Sequence, residues 1–258
     1  MCGVTAVYGN YATLKAMFVT LNQLERGVEG CGIAYLHKNR IKIVKQPTHP
    51  MKFIEDNANK IFVKTNMCIA HNRQPSIGKI SYENTHPFMD CKNRFALAHN
   101  GHAFVNNMKL YLETNGHKIN GETDSEILTH LLEEYYEQTS DMISALKKLV
   151  ENYLSGSIVV LTRDRKIYCA KNGFVTLYCA INDDNIYIAS SQNAIKALLR
   201  MLREDDYLIF EVSNGEIIEI NDRGDIDFHI AEVRKPKRHH TIYYPDFEEW
   251  FYKYYYNI

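Results

Sequence analysis

The sequence predicts an α+β fold in which antiparallel sheets are covered by helices. After residue 156, short strand-like runs follow one another at regular spacing. Helix-like segments form a pair before that point, so strands and helices do not alternate singly as they do around a parallel sheet. With 258 residues, 45% of them hydrophobic, the chain can bury a core that suits one large domain or two small ones.

The first half of the chain begins with a β-rich run over residues 2–8 that is broken at Gly9. Residues 11–25 place apolar side chains three and four apart, which predicts a helix with one apolar face. That face consists of Leu14, Met17, Phe18, Leu21 and Leu24. Strands near 32–37 and 40–46, a short helix after Pro50 and a strand near 67–70 follow. A polar loop then extends to about residue 92, and loops of this length are usually functional or disordered.

The second half begins with a buried strand over residues 95–98 that ends at His99-Asn100-Gly101. Thr123 and Glu126 have the spacing of a capping box, which predicts the start of a helix. A second helix follows, and we expect both to pack on one sheet. Their apolar faces consist of Ile127, Leu128, Leu131, Leu132, Met142, Ile143, Leu146, Leu149 and Val150. The remaining elements are strands near 157–162, 166–170, 175–181 and 185–189, a helix near 192–202, and strands near 207–212, 215–220 and 226–230.

Composition excludes several classes of partner. The formal net charge is −1, so the chain as a whole is not attracted to nucleic acid or anionic lipid. No apolar run reaches the roughly 18 residues of a membrane span. The six cysteines contain no C-x-x-C pair, and no basic segment followed by an apolar one opens the chain. We therefore expect a reduced, cytoplasmic protein with no disulfide framework, no nucleic-acid partner and no membrane partner.

Metal and cofactor sites are not indicated by the motifs. The pairs His99 with His102 and His239 with His240 lack partner ligands at a recognisable spacing. A phosphate-binding P-loop is excluded, because Ile80 follows the only Gly-Lys pair. We expect no metal and no other cofactor.

Cys2 is the residue that most directly suggests chemistry. Removal of Met1 is expected before so small a residue, and it would leave a thiol and a free α-amine on Cys2. The amine titrates at about 7.7–8.0 and the thiol near about 8.5, so a proton can pass between them near neutral pH. An N-terminal threonine with its own amine works in the same way. Taken alone, however, a cysteine at position 2 is usually incidental.

Five further segments follow Cys2-Gly3-Val4 in a fixed order: residues 26–34 (RGVEGCGIA), 71–78 (HNRQPSIG), 86–88 (HPF), 99–101 (HNG) and 121–126 (GETDSE). Together they resemble the class II glutamine amidotransferases, whose glutaminase domain is an N-terminal-nucleophile hydrolase. The resemblance covers residues 2 to roughly 220. It implies a four-layer αββα sandwich and hydrolysis of the side-chain amide of L-glutamine to glutamate and ammonia.

The resemblance also implies the catalytic residues. Cys2 matches the nucleophile, and its freed amine would be the base. Asn100, through its side-chain amide, and Gly101, through its backbone N–H, match the oxyanion hole. Such donors suit the negative charge that develops on the amide oxygen during attack. Read without the resemblance, Asn100-Gly101 is a common turn signal.

Substrate-binding residues are implied in the same way. Arg73 matches the arginine that binds the α-carboxylate of glutamine, and Asp124 matches the acid that binds the α-ammonium. A free amino acid carries both charges at a fixed separation, so a paired cation and anion would select it. Arg26 and Gly27 match a turn beside the nucleophile. Taken separately, Asp124 could be an ordinary acidic residue in a first helical turn and Arg73 a surface ion-pair partner.

Some positions depart from the family pattern. Gln74 stands where glucosamine-type members carry tryptophan, and Pro75-Ser76-Ile77 replaces Ala-Thr-His. Glu29-Gly30 replaces the usual Asp-Ser. These changes put the shape and closure of the glutamine pocket in question, although the clamp arginine is kept.

The resemblance divides the chain into a glutaminase domain, residues 2–230, and a C-terminal extension, residues 231–258, that is basic and then aromatic. Because family synthases continue into an acceptor domain, we expect ammonia to pass to a separate synthase subunit, with the aromatic tail as a docking segment. Two alternatives stay open. One is an amidohydrolase of this fold that acts on another γ-glutamyl compound, and the other is a catalytically silent protein that keeps Met1 and only binds glutamine.

Overall fold

A computed structural model describes residues 1–105 and 108–233. The strands of this part of the chain are β1 (Gly3–Tyr8), β2 (Gly30–His37), β3 (Arg40–Gln46), β4 (Met67–Arg73), β5 (Phe88–Met89), β6 (Phe95–Ala103), β7 (Leu154–Thr162), β8 (Ile167–Asn172), β9 (Tyr178–Ile181), β10 (Ile186–Ala189), β11 (Leu208–Glu211), β12 (Glu216–Ile220) and β13 (Ile226–Ile230). The α-helices are α1 (Ala12–Leu21), α2 (Pro50–Ile61), α3 (Met108–Thr114), α4 (Asp124–Thr139), α5 (Met142–Asn152) and α6 (Gln192–Leu202).

The strands form two antiparallel sheets that pack face to face. The first has seven strands in the order β11-β9-β10-β1-β4-β2-β3, and the second has six in the order β13-β12-β8-β7-β6-β5. Alternating side chains of the central strands fill the space between the sheets, among them Val4 and Ala6 of β1 and Ala98 of β6. This inter-sheet layer is apolar and closely packed, so it fixes β1, β4 and β6 relative to one another.

Helices cover the outer face of each sheet. Val7 of β1 and Ile33 of β2 point away from the second sheet and pack in a cluster with α1, α2 and α6. Leu97 of β6 and Val160 of β7 pack in the matching cluster with α3, α4 and α5. The described residues therefore form the predicted four-layer αββα sandwich, and the predicted fold class is confirmed.

The predicted apolar face of α1 is confirmed only in part: Met17 is buried and Phe18 packs against the core, but Leu14 is not part of the buried face. The helix ends at Leu21 rather than near residue 25, and it buries small residues such as Ala12 and Ala16 together with Met17. Leu14 is 52% exposed. Small side chains let the helix backbone lie close to the sheet, and a periodicity counted on large residues alone reveals only part of that face.

Two short elements, β5 and α3, were not predicted, since a strand of two residues and a helix of about two turns repeat too few times to show a period. The paired helices α4 and α5 are confirmed, with Leu128, Leu131 and Leu146 in the core. Within the described residues, no helix is long and apolar enough to cross a membrane. The predicted extension over residues 231–258 lies outside the described residues from position 234 onward, and so does the pair His239 and His240.

Candidate active site

The candidate site lies where the start of β1 meets the ends of β4 and β6. Gly3 is opposite Asn72 in the register of β1 and β4, which places Cys2 beside the end of β4. A contact between the sheets fixes the third strand: Nε2 of His71 lies 3.1 Å from the backbone oxygen of His99. The residues that follow these two histidines therefore end on the same side of the sandwich. Cys2 precedes β1, Arg73 is the last residue of β4, and Asn100 lies in the second half of β6.

The thiol of Cys2 contacts the backbone of Gln74. Its Sγ lies 3.4 Å from both the backbone N–H and the backbone oxygen of Gln74. Burial raises the pKa of the Cys2 thiol above its ordinary value, while the Gln74 N–H and the charge of Arg73 act to lower that pKa. The charge of Asp124 raises it. The thiol is therefore held protonated and needs a nearby base for activation.

Arg26 and Gly27 form a turn against the start of β1 and the end of β4. Nη2 of Arg26 donates to Thr176 Oγ1 at 2.8 Å and to the backbone oxygen of Ser190 at 3.0 Å. A side chain at Gly27 would collide with the backbone of Arg73, since its Cβ would lie 2.5 Å from that carbonyl carbon. The guanidinium of Arg26 is thus hydrogen-bonded within the protein, and this turn holds the start of β1 and the end of β4 in place.

Arg73 is 2% exposed, and its guanidinium is only partly satisfied. Nη2 donates to the backbone oxygens of Ile77 and Gly78 at 3.1 and 3.2 Å. Nη1 is buried and has no hydrogen-bond partner among the described residues. Burial lowers the pKa of this guanidinium, but arginine stays charged in proteins. A buried cation with an unused donor can bind an anion such as a carboxylate.

Asp124 is the first residue of α4. Its Oδ2 accepts a hydrogen bond from Ala103 N–H at 2.8 Å, and its Oδ1 accepts one from Ser125 Oγ at 3.3 Å. The predicted capping box is only half formed. Thr123 Oγ1 accepts from Glu126 N–H, but the Glu126 carboxylate accepts from the backbone of Asn120 and Gly121 instead.

The predicted end of this strand at His99-Asn100-Gly101 is wrong, because β6 stays paired with β7 up to Ala103; Asn100 and Gly101 lie in its second half, opposite Ser157 and Gly156. Both polar atoms of the Asn100 side chain are buried and lack a hydrogen-bond partner among the described residues. Gly101 has φ 133°, and a Cβ there would lie 2.5 Å from Gly156 Cα. An unpaired, buried amide next to a strand position that favours glycine is able to donate to a bound ligand.

Three buried histidines beneath these residues were not predicted. The rings of His71 and His86 stack with centroids 3.9 Å apart, and Nδ1 of His99 lies 3.0 Å from Ser125 Oγ. Burial lowers the pKa of His71 to about 3 and that of His99 to about 4, so both rings are neutral at neutral pH. The sequence contains one signal for two of them: His71 and His99 are each followed directly by an asparagine, Asn72 and Asn100.

The loop after β4, predicted to be functional by its length, is tied to the segment before α4. Asn84 Oδ1 accepts from Glu122 N–H at 2.8 Å, and Glu122 Oε2 accepts from Lys79 N–H at 3.0 Å. Two departures from the family pattern contact each other, because Gln74 Nε2 donates to Glu29 Oε2 at 3.3 Å. Gln74 and Glu29, both of which differ from the family pattern, are therefore hydrogen-bonded to each other at the edge of the site.

Comparisons with known proteins identify the family of this chain. The family model described as class-II glutamine amidotransferases matches residues 1–166. The glutamine–fructose-6-phosphate aminotransferase (isomerizing) of Helicobacter pylori is 28% identical over 235 residues, which cover 88% of this chain and 38% of that protein. Its counterpart in Thermotoga maritima is 28% identical over 265 residues, covering 96% of this chain and 40% of that protein. The chain thus spans about two fifths of the length of these curated relatives.

Solved structures share the fold. The glutamine phosphoribosylpyrophosphate amidotransferase of B. subtilis superposes with a TM-score of 0.73 at 24% identity, over 89% of this chain and 49% of that one. A glutamine aminotransferase class-II domain protein from Silicibacter pomeroyi superposes with a TM-score of 0.59 at 14% identity, over 89% of this chain and 99% of that one. At these identities the likeness establishes the fold alone.

Proposed function

Because the chain belongs to the class II glutamine amidotransferases, we propose that it hydrolyses the side-chain amide of L-glutamine to glutamate and ammonia. The observation that carries this proposal is a pair of buried donors without partners in the described part of the chain, one on Arg73, whose charge acts on the Cys2 thiol, and one on Asn100. Among the described residues, Arg73 Nη1 and Asn100 Nδ2 are buried without partners. Buried polar groups are normally satisfied, so such atoms indicate where a polar ligand binds.

The proposed reaction begins with removal of Met1, which frees the α-amine of Cys2. That amine takes the Sγ proton, and the thiolate attacks the side-chain carbonyl carbon of glutamine. Charge develops on the carbonyl oxygen, where Asn100 Nδ2 and the N–H of Gly101 donate to it. When the intermediate collapses, the carbon–nitrogen bond breaks, and the protonated amine gives its proton to the leaving ammonia. Water, deprotonated by the same amine, then hydrolyses the γ-glutamyl thioester to glutamate and restores the thiol.

Recognition of the amino-acid end of glutamine is assigned to Arg73 and Asp124. The guanidinium of Arg73 offers its unused Nη1 to the α-carboxylate, and its Nη2 is held in place by two backbone oxygens. Asp124 would accept from the α-ammonium while its orientation is fixed by Ala103 N–H. Arg26 and Gly27 support the site from behind, since Arg26 is bound to Thr176 and Ser190.

We further propose that the ammonia is passed to a separate synthase subunit in the cytoplasm. The curated relatives are named as glutamine–fructose-6-phosphate aminotransferases, and this name, which implies an acceptor for the nitrogen of glutamine, supports the proposal. All six cysteines are free thiols, which suits a reducing compartment.

The test is a glutaminase assay on the purified chain after intact-mass analysis has established that Met1 is absent. Glutamate and ammonia should form in equal amounts from L-glutamine, and Cys2→Ala should abolish both. A chain with one extra residue before Cys2 should also be inactive, because its α-amine lies too far from Sγ. No glutamate above the Cys2→Ala background would refute the proposal. Turnover of other γ-glutamyl amides without turnover of glutamine would favour the alternative amidohydrolase.

A further inference from the structure

We propose that the chain carries a structural zinc site, formed by Cys91, His117, His130 and Glu133. These residues lie on the outer helical side of the second sheet and play no part in the proposed hydrolysis. Cys91 belongs to the turn after β5, and His117 lies between α3 and α4. His130 and Glu133 are three residues apart on α4. One ligand atom from each of the four lies within 4.8 Å of all the others.

The distances fit a tetrahedral zinc ion. In a tetrahedral site, zinc lies about 2.3 Å from sulfur and about 2.1 Å from nitrogen or oxygen. A sulfur and a nitrogen ligand atom are then about 3.6 Å apart, and a nitrogen and an oxygen ligand atom about 3.4 Å apart. Cys91 Sγ lies 3.8 Å from His117 Nδ1 and 3.6 Å from His130 Nδ1. Glu133 Oε2 lies 3.0 Å from each of those nitrogens. The two sulfur–nitrogen distances already match those of a tetrahedral zinc site. The two nitrogen–oxygen distances need to lengthen by only a few tenths of an ångström.

The ligands are supported by the contacts that metal sites normally have around them. A histidine bound to zinc usually donates its second nitrogen to a carboxylate, and Nε2 of His117 lies 3.3 Å from Glu134 Oε2. The second oxygen of Glu133 accepts from Arg94 Nη2 at 3.2 Å. Arg94 is itself fixed by Asp90, with Nε 2.8 Å from Oδ2. The side chains of His117, His130 and Glu133 are 8%, 3% and 1% exposed, whereas Cys91 is exposed, so the ion would be shielded on the side of the helix and reach solvent beside the thiolate.

The donor set selects the metal and the role. One thiolate, two imidazoles and one carboxylate suit zinc better than the oxygen-preferring Mg²⁺ or Ca²⁺. Four protein ligands close the coordination sphere, which is typical of a structural site. The ion would join the turn after β5 and the segment before α4 to α4 itself. Because α4 begins at Asp124, the site would also steady one wall of the glutamine pocket.

The motifs could not reveal this site, and our expectation of no metal is replaced by this proposal. The four ligands are spaced irregularly along the chain, and only His130 and Glu133 share an element. Two loops bring Cys91 and His117 to the helix. The competing arrangement is a metal-free cluster in which Glu133 Oε2 accepts hydrogen bonds from both histidines and from Cys91 N–H.

The experiment is a Co²⁺ titration of the metal-free full chain, carried out in a Cys2→Ser background so that the reactive thiol cannot bind cobalt. We expect a thiolate-to-cobalt charge-transfer band that saturates at one ion per chain. Adding Cys91→Ser should remove the band, while far-ultraviolet circular dichroism shows that the fold is kept. Adding His37→Gln, a change at an exposed histidine of β2, should leave the band unchanged.

Zinc analysis gives an independent readout. The chain purified from zinc-supplemented cells should retain one zinc per molecule through gel filtration, and a chelator should lower its Tm. Glu134→Gln should weaken zinc affinity by roughly 10–100-fold, the effect typical of losing such an outer contact. Absence of both retained zinc and a cobalt band would overturn the proposal in favour of the metal-free cluster. A band that persists without Cys91 would overturn it as well.

Discussion

Replacing Asn100 by leucine should separate catalysis from stability. Leucine has nearly the shape of asparagine but neither donates nor accepts hydrogen bonds. In the folded chain both polar atoms of Asn100 are buried without partners among the described residues. Most substitutions of a buried asparagine break hydrogen bonds, whereas this one breaks none that the described residues make.

The magnitudes follow from the two roles of the amide. A buried, unsatisfied polar group costs about 1–3 kcal/mol, so Asn100→Leu should leave the free energy of unfolding unchanged or raise it by up to about that amount. Loss of one donor to the developing oxyanion should lower kcat by about 10²–10³-fold, equivalent to about 2.7–4 kcal/mol of transition-state stabilisation. KM for glutamine should change little, because the donor acts mainly on the transition state.

The assay pairs glutamate production with urea unfolding, and Asn57→Leu is the matched control. Asn57 is also a buried asparagine, but it lies on α2 in the outer helical layer. Its Nδ2 donates to Gln46 Oε1 at 2.9 Å and to the backbone oxygen of Phe53 at 3.0 Å. Asn57→Leu should therefore lose about 1–3 kcal/mol of stability while kcat stays at the wild-type value.

Two results would refute this reasoning. If kcat of Asn100→Leu stays within about threefold of wild type, the side chain is not an oxyanion donor of the usual strength. If its free energy of unfolding falls as far as that of Asn57→Leu, the amide has structural partners that the present account lacks.

Three further predictions concern the residues around Asn100. Gly101→Ala places Cβ 2.5 Å from Gly156 Cα, so we expect the free energy of unfolding measured in urea to fall by about 1–3 kcal/mol. Gly116→Ala is also at positive φ but faces open space, so it should lose less stability. Equal losses in the two variants would contradict the packing argument. Arg73→Lys should raise KM for glutamine at least about tenfold with a smaller change in kcat, because an ammonium cannot donate two parallel hydrogen bonds as a guanidinium does. Steady-state kinetics test this. An unchanged KM would count against binding of the α-carboxylate by Arg73. The pKa values of His71, about 3, and His99, about 4, lie below the unfolded value of about 6.5, so only the unfolded chain takes up these protons as the pH falls. Each histidine should therefore remove about 1–2 kcal/mol of stability between pH 6.5 and 5, and His71→Gln should flatten that slope in urea titrations; identical slopes would contradict it.

The fold was largely predictable because its signals are local. Strand grouping and the apolar faces of α4 and α5 follow from residue periodicity, and burial in the structure agrees with them. The face of α1 was predictable only in part from large residues: Met17 lies on it, but much of the contact is made by Ala12 and Ala16. The elements β5 and α3 are too short to leave a pattern.

The site was predictable only in part, because it is assembled from distant segments. The ordered motifs pointed to Cys2, Arg73 and Asn100. The sheet register and the contact between the sheets bring β1, β4 and β6, which carry or adjoin them, together. Nothing in the sequence indicated that Arg26 would be bound to Thr176 and Ser190. The ligands proposed for zinc meet only after two loops have folded back onto α4.

The central claim is that Cys2 becomes acylated during turnover of glutamine. The most direct measurement is acid quenching of the enzyme during steady-state hydrolysis, followed by peptide mass spectrometry. The account predicts a glutamyl adduct on the N-terminal peptide that begins at Cys2, with the other five cysteines unmodified and no adduct in Cys2→Ser. Turnover of glutamine that continues in Cys2→Ser, with no adduct on Cys2 in the wild type, would contradict it.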